Sequence, residues 1–151
     1  MLLIATDHLR TLVTEAERRY PEEACALLLG ASGPGDRRDV VRVELSPNIA
    51  ADRRQRFEID PGLRIGLERE LRDQRAQGRD INIVGVWHSH PDGPAAPSAT
   101  DAAMVHEPHL AWLITAVSTG EAVQTTAWLP LDYVRGPNGF REIPLRLAER
   151  N

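Results

Sequence analysis

The stretch Ile81-Asn82-Ile83-Val84-Gly85-Val86-Trp87-His88-Ser89-His90-Pro91 decides how this chain is read. Residues 81–87 are almost all β-branched, apolar or small, the composition of a buried strand. Side chains two apart on a strand share a face, so His88 and His90 present two imidazoles to one point. That point is expected where the sheet ends, because Pro91 has no N–H with which to continue a ladder.

Working outward, residues 92–97 form a Pro/Gly/Ala loop, and Ser98 then starts a helix whose first turn contains Asp101. A catalytic zinc takes three protein ligands and keeps one position for water, and imidazole nitrogens and carboxylate oxygens suit it. His88, His90 and Asp101 make such a set. They leave the ion with net positive charge, which favours ionisation of water and polarisation of a carbonyl near neutral pH. Taken alone, Ser98-x-x-Asp101 is a capping-box variant, with each side chain satisfying a free helix amide. The combination of two histidines, a break and a carboxylate at a helix start, all after the strongest strand, favours the metal.

Upstream, Leu9, Leu12, Val13 and Ala16 recur at helical spacing between Asp7 and Tyr20, leaving Glu15, Glu17, Arg18 and Arg19 for the wet side. Pro21 ends that helix. Ala24 to Leu29 reads as a strand buried on both faces and closed by Gly30, and Val40, Val41, Val43 and Leu45 mark a second strand. A polar loop follows, up to Phe57. Asp60-Pro61 is a helix start, an N-cap with proline at the first helical position, continued by Leu63, Leu67 and Leu71 and stopped near Gly78. Downstream, 110–117 and 122–129 are strand-like, and 140–147 offers one more. With no repeat, low-complexity tract or linker, residues 1–151 are expected to form a single domain.

Composition narrows the function. Hydrophobic residues make up 42% and charged residues 26%, an ordinary globular balance. The net charge of -4 is small and the basic residues are scattered, so nucleic acid is not the expected partner. All 18 basic residues are arginine, which excludes a lysine Schiff base or a phosphate-loop lysine. Cys25 is the single cysteine, so neither an intrachain disulfide nor a thiolate zinc cluster can form. Residues 1–7 lack the features of a secretory signal and no apolar run is long enough to span a bilayer, so the expected location is the cytoplasm, with no membrane partner.

Three rival signatures fail or weaken. His106-Glu107-Pro108-His109 lacks the four-residue histidine spacing of a zincin helix, and Pro108 would break that helix, so both histidines are read as surface or cap residues. A zinc deaminase needs a glutamate after His88 and paired cysteines, neither of which is present. Cys25 as a nucleophile is opposed by its apolar surroundings, which mark an inert core thiol.

Seven residues separate His90 from Ser98 and two separate Ser98 from Asp101, and this whole pattern resembles the JAMM motif of the JAB/MPN metalloproteases. Tyr20-Pro21-Glu22-Glu23-Ala24-Cys25-Ala26-Leu27-Leu28-Leu29-Gly30 is similar to the family segment that carries a catalytic glutamate before the first strand, and the alignment selects Glu23, not Glu22. Asn48, Arg56, Phe57 and Asp60 are similar to the corresponding stretch in compact bacterial members. Ala26 departs from the glycine of many relatives.

The resemblance implies an α+β fold, a curved mixed β-sheet flanked by helices with cytidine-deaminase-like architecture. It implies one zinc per chain on His88, His90 and Asp101, Glu23 as general base and then acid, and Ser98 as oxyanion stabiliser. By the same resemblance the substrate is a ubiquitin-like or sulfur-carrier protein, cut after a carboxy-terminal Gly-Gly. The rivals are a non-catalytic MPN scaffold for protein association and a small-substrate metal amidohydrolase. Phe57 and Trp87 are read as core residues, with a groove wall as the alternative. The oligomeric state is left open.

Overall fold

The computed structural model describes residues 1–131 and 139–148. In chain order the elements are β1 (Leu2–Ala5), α1 (Thr6–Arg19), β2 (Cys25–Ser32), β3 (Arg38–Ser46), α2 (Pro61–Ala76), β4 (Asn82–Pro91), α3 (Ala99–Ala103), β5 (Ala111–Ser118), β6 (Glu121–Pro130), β7 (Phe140–Ile143) and β8 (Leu145–Ala148). The strands make one mixed sheet in the order β7-β6-β5-β4-β2-β3-β1-β8. Pairs β1/β3, β1/β8 and β4/β5 are parallel, and the others are antiparallel.

Chain connectivity forces this sheet to curl. β7 and β8 lie at its opposite edges, yet only Pro144 separates them in sequence. A flat eight-stranded sheet would hold its edges roughly 34 Å apart, whereas two residue steps span only about 7 Å. The edges therefore meet at Pro144, whose carbonyl accepts the Leu2 N–H at 2.8 Å. The single strand expected over 140–147 is thus two strands, and the break allows each to pair with a different edge. β1 carries no local strand signal: its four residues acquire strand geometry by lying between β3 and β8.

The expected helices form close to their expected bounds. α1 buries Leu12 and Ala16 against Leu2, Ile4 and Trp87 on one face of the sheet. Glu15 does not lie on the wet side as its position suggests: it is 6% exposed, with Arg19 Nε 3.2 Å from its carboxylate. On the other face α2 presses Leu67 and Leu71 onto Leu27 and Leu29. The Asp60 side chain accepts the Gly62 N–H at 3.0 Å and Pro61 occupies the first turn, as the N-cap reading requires. Gly78, just beyond the end, adopts φ 87°.

Two register shifts aim the side chains of the central strands. β2 does not close at Gly30 but continues to Ser32, and opposite β3 the pairing jumps from Leu29↔Arg42 to Gly30↔Val40. Val41 is the extra residue and stands 54% exposed while Val40 is buried. Only glycine tolerates the close approach there, since a Cβ on Gly30 would sit 1.7 Å from the Asp39 carbonyl oxygen. Opposite β4 the pairing jumps from Leu28↔Gly85 to Leu29↔Ile83, which leaves Val84 as a bulge. Val84 thereby joins Trp87 in the α1-side core, while Ile83 packs beside α2 and Val86 beside Phe57.

β4 ends at Pro91, as the proline requires, but its two edges end at different points. Antiparallel pairing with β2 ends at Cys25↔His88, but parallel pairing with β5 runs on to Pro91↔Val117, and the Asp92 N–H donates to Val117 O at 2.6 Å. His88 is therefore paired on both sides, whereas His90 sits where the ladder with β2 has ended and only β5 is paired. Among the described residues, no helix is long and apolar enough to cross a membrane.

Candidate metal centre

His88 and His90 reach the same point from the end of β4, with their Nε2 atoms 2.9 Å apart. α3 carries the third group. His90 Nε2 lies 3.0 Å from Asp101 Oδ2, and His88 Nε2 lies 3.2 Å from Asp101 Oδ1. The edges of a tetrahedron around zinc with ligand bonds of ~2.0–2.1 Å are ~3.3 Å long. The two imidazole nitrogens thus stand close to the separation that a shared cation demands, each facing a different oxygen of Asp101.

Glu23 completes the group from the loop between α1 and β2. Ligating atoms of Glu23, His88 and His90 all lie within 4.8 Å of one another. Its Oε1 is buried with no hydrogen-bond partner among the described residues. An unpartnered carboxylate oxygen beside two imidazoles fits a site built to receive a cation and a water. Glu22, its neighbour, turns outward to Arg53 at 3.1 Å.

The capping and ligand readings of Asp101 are compatible. The Asp101 N–H donates to Ser98 Oγ at 3.0 Å and the Ser98 N–H donates to Asp101 Oδ2 at 2.9 Å, a full capping box. The box fixes the carboxylate while both oxygens still face the imidazoles. Ser98 Oγ accepts in this arrangement, so its O–H proton stays available to donate elsewhere. Ser98 itself is exposed at the rim.

Each imidazole is oriented differently. His90 Nδ1 is 2.8 Å from the Pro94 carbonyl, so it carries the proton there and Nε2 keeps its lone pair for the centre. His88 Nδ1 is buried without such a partner among the described residues. Its ring is held by packing instead: Phe57 stacks on it at 4.4 Å and 18°, and Trp112 meets it edge-on at 5.4 Å and 88°. A cavity of about 350 Å³ lies against these same two aromatic rings, with Val86, Met104 and Arg64 in its wall.

Electrostatics follow from burial and proximity. Burial raises the Asp101 carboxyl, but His88 and His90 together outweigh it and hold it far below the usual carboxylate range. Burial lowers His88 against the pull of Asp101, whereas for His90 the hydrogen bond and charge of Asp101 overcome burial and raise it. Glu23 is pushed up to about 8, first by burial and then by Asp101 and Asp52, against a lowering by His90. The same centre thus contains one carboxylate that stays ionised and one poised near neutrality.

The remaining candidates fall outside it. His106 and His109 are exposed, as expected. Cys25 is fully buried, its thiol pushed up to about 12 chiefly by burial, and it donates weakly to Ser46 O and Pro47 O at 3.7 Å. Trp87 lies in the opposite core, its Nε1–H donating to Thr115 Oγ1 at 2.9 Å. Phe57 and Trp112, by contrast, belong to the site. Nothing local marks them, because their contact with His88 depends on which loop and which parallel strand cover β4.

A family model described as prokaryotic homologs of the JAB domain matches residues 5–129. The chain belongs to this family. Among similar proteins, a desampylase of Haloferax volcanii is 35% identical over 94 residues, 62% of each chain. A CysO-cysteine peptidase of Mycobacterium tuberculosis is 29% identical over 111 residues, covering 72% of this chain and 68% of that one. A probable TtuB-protein conjugate cleaving protease of Thermus thermophilus is 32% identical over 84 residues, 56% of this chain and 49% of that one. The match to the desampylase thus spans about three fifths of that relative's length. The solution structure of a protein from Desulfitobacterium hafniense superposes with a TM-score of 0.80 at 27% identity, covering 99% of this chain and 94% of that one. A JAB1/MPN domain protein from Archaeoglobus fulgidus shares the fold at a TM-score of 0.57 and 18% identity, covering 99% and 100%. The curved mixed sheet flanked by helices is therefore the JAB/MPN fold.

Proposed function

We propose that this chain is a zinc-dependent peptidase or isopeptidase that hydrolyses the bond after a carboxy-terminal Gly-Gly of a ubiquitin-like or sulfur-carrier protein. The observation that carries the reading is the convergence of His88, His90 and Asp101 on one point, with Glu23 beside it, its buried Oε1 lacking a hydrogen-bond partner among the described residues. His88, His90 and Asp101 would hold one zinc ion. Zinc bound there supplies Lewis acidity to the scissile carbonyl and to the attacking water.

Glu23 takes the proton of that water and returns it to the leaving amine. Burial, with Asp101 and Asp52 adding and His90 opposing, sets its carboxyl at about 8, close enough to neutral pH for transfer in both directions. Asp101 stays ionised and anchors the charge, and His90 is kept in the ligating tautomer by Pro94. The Ser98 hydroxyl donates to the oxygen that becomes negative as water adds to the carbonyl, with the capping box fixing its position.

The substrate class rests on kinship. The desampylase, the CysO-cysteine peptidase and the TtuB-conjugate protease are all named for cleaving a protein from what is joined to it. A Gly-Gly tail suits a metal set at the end of a strand, because residues without a Cβ let the backbone come close. Purified zinc-loaded protein should release whatever follows Gly-Gly in extended carrier proteins, and Glu23→Gln should lose that activity while retaining zinc. Failure to cut any such carrier, with zinc bound stoichiometrically, refutes the substrate class.

A further inference from the structure

The backbone N–H and carbonyl groups of Glu23 and Ala24 are all hydrogen-bonded. The Glu23 N–H donates to Arg53 O at 2.7 Å, and the Glu23 carbonyl accepts from Asn48 Nδ2 at 3.0 Å. The next residue, Ala24, donates its N–H to Ser89 Oγ at 2.8 Å and accepts the Ser89 N–H at 3.1 Å. Two of these four bonds therefore belong to Ser89, the residue between the two imidazoles.

We propose that Ser89 is a positioning residue whose hydroxyl ties the strand bearing His88 and His90 to the segment bearing Glu23, and so sets the carboxylate against the imidazoles. The inference rests on the reading of Glu23 as the proton-transfer group. Strand alternation sends the Ser89 side chain away from the side that His88 and His90 share, so it does not join their ligand set. The β2/β4 ladder has its last paired residues at Cys25↔His88, and beyond it β4 is paired on its other side with β5. Ala24 thus leaves the ladder with an N–H still to satisfy. The Ser89 hydroxyl serves as the final rung, one residue from Glu23.

Burial makes this bond consequential. Ser89 is 0% exposed and Ala24 is 2% exposed, so water does not readily replace a missing hydroxyl. Without it the Ala24 amide is stranded, and the cheapest relief is a shift of residues 21–24 that carries Glu23 with it. The imidazoles, held by β5 pairing, Phe57 and Pro94, stay in place. Reactive geometry is sensitive to such shifts: displacement by 1 Å can cost about a hundredfold in rate.

The test compares Ser89→Ala, Ser89→Cys and Ser89→Thr with the wild-type protein, all zinc-loaded, using a carrier extended beyond Gly-Gly and amide hydrogen exchange. Ser89→Ala should lower kcat roughly 10- to 100-fold, leaving KM and zinc stoichiometry within about twofold. Ser89→Thr, which keeps the hydroxyl, should restore kcat to within about threefold. Exchange protection of the Ala24 amide should fall at least about tenfold in Ser89→Ala, while that of Leu113 in the core is unchanged. Ser89→Cys guards against an unfolded alanine variant, because sulfur fills the space yet accepts poorly, and it should lose kcat in the same direction. Full kcat in Ser89→Ala or Ser89→Cys overturns the proposal, as does unchanged Ala24 protection, or a parallel loss of zinc. If the wild-type protein cuts no carrier, the proposed function falls, and the exchange measurement alone decides whether Ser89 holds the Glu23 segment.

Discussion

Replacing Glu23 by glutamine in the metal-free protein should flatten part of the pH dependence of folding. Burial holds the Glu23 carboxyl at about 8 in the folded chain, against 4.5 as its ordinary value. Between those limits the folded state keeps a proton that the unfolded state has released, so stability falls as pH rises. The penalty is absent below pH 4.5 and grows by about 1.4 kcal/mol per pH unit. It reaches about 3 kcal/mol at pH 7 and levels off above pH 8 near 5 kcal/mol. Glutamine cannot ionise, so Glu23→Gln should gain on the wild type with that slope. Any fixed cost of burying the amide shifts the whole line and leaves the slope alone. Urea unfolding of both proteins in chelator at pH 5, 6, 7 and 8 measures the difference directly. Parallel stability profiles would refute the claim that Glu23 is buried and protonated without metal.

Zinc at about a thousand times its dissociation constant should add about 4 kcal/mol to the stability of the wild-type protein. For a chain of this size that is roughly 10 °C in Tm, and Asp101→Ala should show almost none of the rise in differential scanning calorimetry. Gly30→Ala should cost at least about 2 kcal/mol in urea unfolding, because its Cβ would overlap the Asp39 carbonyl oxygen; a variant as stable as the wild type would show that the bulge can relax. Cys25, buried and with its thiol pushed up to about 12, should resist a thiol-specific reagent at pH 8 in the native state and react promptly in denaturant. Rapid labelling of the folded protein would contradict that burial.

Much of the local architecture could be read from short stretches, because the forces that set it act over a few residues. The Asp60-Pro61 helix start, the Ser98/Asp101 capping box and the paired imidazoles of His88 and His90 are of this kind, as are the apolar runs of β2, β4 and β5. Resemblance to a family, not local physics, drew attention to Glu23. Its place beside the histidines depends on bonds to Arg53, Asn48 and Ser89, the last reached across 65 residues through Ala24. Tertiary structure alone decided the rest. β1 exists because β3 and β8 flank it, and residues 140–148 divide because the sheet's two edges meet at Pro144. The bulge at Val84 sets which β4 residues face the centre, and Phe57 and Trp112 become its walls only once the loop and β5 lie over β4. Pairing register and sheet closure are won by contacts between distant segments, whose free energy no local window of sequence contains.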